Sequence, residues 1–109
     1  MSEQLISPVH PGAYLKEILD EFGLSQCRIA KDLGLAPVRI SHIVNGRRPI
    51  TPEIALRLGR YFGQNPRYWL NLQSRYDMDI AYDMLYGQIV REVHPMKDAA
   101  DCVIFLPLA

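Results

Sequence analysis

Between Arg39 and Arg48 the run RISHIVNGRR sets three guanidinium groups and one imidazole, with Ser41 and Asn45 among them. A guanidinium is a planar fork of N–H donors that keeps its charge at any ordinary pH. The chemistry on offer is therefore recognition of phosphates and base edges, not bond making. Catalysis has little to draw on elsewhere. His10, His42 and His94 are scattered, and Ser25 and Ser41 stand where helix caps and phosphate contacts account for them. No carboxylate pair stands apart from its neighbours as a general acid and base would. Cys27 and Cys102 lie far apart with no CxxC or Cys/His cluster, so neither a metal site, a cofactor nor a disulfide framework is expected.

The net charge of zero hides a division. Ser25 to Arg75 holds nine Lys and Arg against Asp32 and Glu53, a surplus of seven positive charges. Met1 to Leu24 and Tyr76 to Ala109 are acidic, at −3 and −4. A basic centre between acidic ends suits one polyanionic partner and a separate cationic one. The chain's 109 residues fit a single domain. No apolar run is long enough to span a bilayer, and the first residues lack the make-up of a signal peptide, which predicts a cytoplasmic protein that does not meet a membrane.

These residues need helices to position them, and punctuation marks five, for an all-α fold. In PGAYLKEILDEFG, Pro11 suits a first turn, Leu15, Ile18, Leu19 and Phe22 share a face, and Gly23 suits a stop. Ser25 is placed to cap a second helix, with Ile29, Ala30 and Leu33 inward and Gly34 closing it. Pro37 opens a third, buried on Ile40, Ile43 and Val44, with Asn45-Gly46 at its end. Thr51 caps a fourth, with Ile54, Leu58, Tyr61 and Phe62 as core candidates before Gly63. After Asn65-Pro66 a long fifth helix is expected on Trp69, Leu72, Tyr76 and Ile80, its far end left open at Gly87. The tail Cys102 to Ala109 has the β-branched make-up of a short strand, and Pro107 keeps it from a central position.

Helices two and three are joined by about three residues, and such a close crossing needs a small residue at the contact and a turn-tolerant one after it. Ala30 and Gly34 fill those places, while Ile29, Leu33, Leu35, Ile40 and Ile43 supply the apolar positions. This is the pattern of a helix-turn-helix, in which the second helix lies in the major groove. Pro37, Val38, Arg39 and His42 are then the base-contacting candidates. Arg39 suits the O6/N7 edge of guanine, with a phosphate role as its alternative, and Pro37 and Val38 suit a thymine methyl. Gln26, Ser41, Asn45, Arg47 and Arg48 are placed for phosphates.

Three runs stand together along the chain: HPGAYLKE, then LSQ…IA…LG…ISHIVNGRRPIT through the helix-turn-helix unit, then ALRLGRYFG…YWLNLQSRYDM, of which Trp69 to Gln73 followed by Tyr76-Asp77 is not required by a generic helix-turn-helix. From His10 to Ala81 the chain resembles the HigA-type antitoxins, within the lambda-repressor-like (XRE/Cro-type) helix-turn-helix group. Pro37 departs from the polar residue often found there in phage repressors, and the tail Met96 to Ala109 lies outside the resemblance. The resemblance implies a homodimeric autorepressor on double-stranded operator DNA, with a small mRNA-cleaving ribonuclease toxin as partner.

A basic ribonuclease would seek acidic surface, and Glu17, Asp20 and Glu21 are the candidate contacts. A stand-alone repressor, with the acidic flanks serving only solubility, is the competing reading; a pure interaction module would have no use for Arg39, Arg47 and Arg48 around one helix. One recognition helix reads few base pairs, so a two-fold dimer on a palindromic site is expected. Residues 10–64 form the DNA-binding core in this reading, and 65–109 an extension for dimerisation. Met84, Leu85 and Ile89 are candidates for that interface, as are Val103, Ile104, Phe105 and Leu106, which have the alternative of folding back on their own core.

Overall fold

The structure is a computed structural model that describes residues 8–96. Among these residues it contains five helices and no strand: α1 Pro11–Phe22, α2 Gln26–Leu33, α3 Pro37–Val44, α4 Pro52–Phe62 and α5 Arg67–Glu92. None is long and apolar enough to cross a membrane. The tail from 97 onward, including the expected strand and Val103, Ile104, Phe105 and Leu106, lies outside the described residues.

Short polar side chains and prolines open these helices. The Oγ of Ser25 accepts from the Arg28 N–H at 3.0 Å, and Oγ1 of Thr51 accepts from the Ile54 N–H at 3.3 Å, satisfying donors that a first turn leaves free. At α1 the same service comes from His10, whose Nδ1 accepts from the Gly12 N–H at 2.9 Å. Proline stands in the first turn of α1, α3 and α4. Gly34 ends α2 with φ at +75°, a left-handed conformation costly for any residue with a Cβ. Its turn lets the Leu35 N–H reach back to the Ala30 carbonyl at 2.9 Å.

Leu15, Ile29, Ile40, Ile54, Leu58 and Trp69 make the centre of the core, all nearly or fully buried. Ala30 of α2 is fully buried, as a small residue expected at the close crossing with α3 would be. A second close approach joins α1 to α3: a Cβ added to Gly12 would stand 1.8 Å from the Ile43 carbonyl oxygen. α5 enters the core with Trp69, whose Nε1 donates to Oε1 of Gln64 at 2.8 Å, so the buried indole has its polar atom satisfied.

Three expectations are corrected. Phe22 is not core: as the last residue of α1 it is 64% exposed, and its ring stacks on half-buried Phe62 at 6.5 Å. Tyr61 is exposed as well, held on the surface by a hydrogen bond from its hydroxyl to Asp32 at 2.6 Å. On α5, Leu72, Tyr76 and Ile80 are half-buried while Gln73 is buried. The helix runs through Gly87 to Glu92, and from Asp83 onward every residue of α5 is exposed, including Met84, Leu85 and Ile89.

Candidate nucleic-acid interface

On α3, burial of Ile40, Ile43 and Val44 dictates which side chains face out. With about 100° between successive residues, Val38, His42 and Asn45 fall on the opposite face, with Ser41 and Arg39 on its two flanks. Pro37, Val38 and Asn45 are exposed; Arg39, Ser41 and His42 are half-buried. The Nδ2 of Asn45 donates to Oγ of Ser41 at 3.3 Å, which pairs the two along the helix. Gln26, the first residue of α2, is half-buried.

The loop after α3 folds back over its end. The N–H groups of Arg47 and Arg48 both donate to the His42 carbonyl, at 2.7 and 3.2 Å, and both side chains are exposed. Two residues on, the Ile50 N–H donates to Oε1 of buried Gln73 at 2.7 Å, and Nε2 of Gln73 donates to Asp77 at 3.0 Å. The basic loop is therefore pinned to α5. His10 sits beside it, edge-on to Tyr76 with ring centroids 5.0 Å apart. Burial pushes the His10 imidazole below its ordinary pKa, opposed by the charge of Asp77 and the backbone of Arg48.

Arg39 does not stand free. Its guanidinium meets Glu53 at 3.4 Å, and Glu53 also holds Arg57 at 3.1 Å. Arg57 in turn donates to the Leu33 carbonyl at 2.7 Å, at the end of α2. Hydrogen bonds from Arg39 and then Arg57 hold the Glu53 carboxyl below the usual carboxylate range. Two guanidiniums on one carboxylate leave a net positive charge beside α3. Arg28, Asp32 and Tyr61 form a similar link between α2 and α4, with Arg28 and Asp32 at 3.0 Å. Glu17, Asp20 and Glu21 are exposed on α1, where Asp20 pairs with Lys16 at 3.2 Å.

Sequence reasoning overlooked Arg57, Gln73 and His10. The Glu53–Arg57 pair was legible as an i, i+4 spacing, but the contacts of Arg57 with Leu33 and of Gln73 with Ile50 cross more than twenty positions and leave no periodic trace.

Residues 15–69, half of the chain, match the family model described as helix-turn-helix. The chain belongs to the helix-turn-helix family. This helix-turn-helix protein is 47% identical over 74 residues to virulence-associated protein I of Dichelobacter nodosus, a match covering 67% of this chain and 68% of that protein. Among solved structures it is similar to an addiction module antidote protein of a HigA family from Coxiella burnetii, at 39% identity and a TM-score of 0.79, over 84% of this chain and 100% of that one. It is likewise similar to the Pseudomonas aeruginosa antitoxin HigA solved with the higBA promoter, at 38% identity and a TM-score of 0.80, over 83% and 99% of the two chains. Within the helix-turn-helix family, these likenesses make it a HigA-type member.

Proposed function

We propose that this helix-turn-helix protein is a DNA-binding antitoxin, which represses its own operon as a homodimer and neutralises a small mRNA-cleaving toxin in the cytoplasm. The observation that carries the reading is the outward face of α3, where Val38, Arg39 and His42 stand beside the pinned basic loop of Arg47 and Arg48. A helix so faced fits the major groove, and a basic margin fits the phosphates on either side of it.

Pro37, Val38, Arg39 and His42 are assigned to bases, and Gln26, Ser41, Asn45, Arg47 and Arg48 to phosphates. Residues 10–64 carry these contacts; 65–109 is assigned to dimerisation, with the exposed Met84, Leu85 and Ile89 of α5 on the interface. Two recognition helices then meet half-sites about one helical turn apart, ~34–36 Å. Exposed Glu17, Asp20 and Glu21 on α1 are assigned to the toxin, whose basic charge follows from its RNA substrate. Nothing in this role asks the chain to make or break a covalent bond.

The test is co-expression with the neighbouring open reading frame, one chain tagged. Capture of the neighbour together with rescue of growth supports the antitoxin reading. Promoter binding without capture or rescue replaces it with a stand-alone repressor.

A further inference from the structure

Glu53 lies on α4, outside the outward face of α3, yet it holds the Arg39 guanidinium at 3.4 Å. Its second oxygen binds Arg57 at 3.1 Å, and Arg57 is itself anchored on the Leu33 carbonyl at 2.7 Å. The turn leaves room for this anchor: a Cβ on Gly34 would stand 3.2 Å from the nearest nitrogen of Arg57. The end of α2, the start of α4 and the flank of α3 are thus joined through one carboxylate.

A lone arginine on a helix flank has many rotamers and can reach either a base or the nearest phosphate. Bidentate contact with a base edge needs the fork held in one plane, whereas a phosphate accepts it in many orientations. One carboxylate oxygen engages only part of the fork and leaves other N–H donors for a base. We infer that Glu53 is a specificity-determining positioning residue: anchored through Arg57 to the end of α2, it holds Arg39 for a base edge and away from the phosphates. The inference rests on the base-contacting role proposed for Arg39, and it makes a residue of α4, outside the recognition helix, decide how sharply one operator position is read.

The test uses the full chain and an operator selected by it from a random duplex pool, assayed against that operator with each base pair changed in turn and against unrelated duplex. Arg39→Ala should abolish the preference at one position. Glu53→Gln and Glu53→Asp should each weaken the preference at that same position by about 5-fold or more, within the range a bidentate base contact supplies. Each should add little when combined with Arg39→Ala. Glu53→Asp keeps a negative charge at the start of α4 but withdraws it by one methylene, so it separates positioning from any service to the helix end, whose loss would lower melting temperature without changing base preference. If Arg39→Ala removes the preference and both Glu53 variants retain it, the inference is wrong and the base contact stands. If Arg39→Ala leaves every position equally well read, the base contact fails and the inference falls with it.

Discussion

The backbone N–H of Ile50 donates to the side-chain carbonyl of Gln73 at 2.7 Å, across 23 positions of sequence, in a site where Gln73 is only 7% exposed. A single amide thereby ties the loop of Arg47 and Arg48 to α5. Gln73→Leu keeps the bulk but leaves the Ile50 N–H without its acceptor. The expected cost is about 1–3 kcal/mol of stability, read in thermal or urea denaturation. DNA affinity should fall on all sequences alike, since the loosened loop is assigned to phosphates. Unchanged stability would show that the hydrogen bond is dispensable.

Gly12 and the Ile43 carbonyl define a second fixed relationship, because α1 and α3 touch there through backbone. Gly12→Ala places a methyl where no flexible side chain can yield, 1.8 Å from the oxygen. Helix separation should cost about 1–3 kcal/mol, visible as a lowered melting temperature. Gain of stability from the better helix former would contradict the packing.

His10 gives the fold a pH dependence of known sign. Its pKa is lowered by burial, and its Nδ1 must stay unprotonated to accept from Gly12. Folding favours the neutral ring, so its contribution is fully present above the ordinary imidazole pKa of about 6.5 and is lost as pH falls through the lowered folded value. Melting temperature should therefore drop between pH 7.5 and pH 5. Replacing His10 with Asn, which retains a capping acceptor but does not titrate, should remove the part of the drop that His10 supplies.

Arg47 and Arg39 are assigned different work and should fail differently. Arg47→Ala should weaken binding to every duplex and flatten the dependence of log affinity on log salt by about 0.9 per lost phosphate. Arg39→Ala should instead relax preference at one base pair. Identical behaviour of the two would place α3 outside the groove.

Much of this was legible in the sequence because punctuation and period agreed. Pro11, Ser25, Pro37 and Thr51 mark helix starts, Gly34 closes the second helix, and Ile40, Ile43 and Val44 indicate which face of α3 is left outward. Periodicity failed at helix ends. Phe22 continues the apolar stripe of α1 to the last residue of the helix, yet it is 64% exposed and meets Phe62 by stacking at 6.5 Å. It failed again on α5, where polar Gln73 is buried ahead of Leu72 because a distant backbone N–H needs its oxygen. Gly87 did not stop α5, since one glycine weakens a helix by only about 1 kcal/mol. The Glu53 link to Arg39 was hidden for a simpler reason: the two residues sit on different helices and meet only once the turns are in place.

Footprinting of the full chain on the DNA upstream of its own reading frame tests the central claim most directly. The account predicts protection of a palindrome whose two half-sites lie about 10–10.5 base pairs apart, or a multiple of that, lost when Arg39, Arg47 and Arg48 are together replaced by alanine. Uniform coverage of any duplex, or protection that survives the triple replacement, would contradict recognition through α3 and its basic loop.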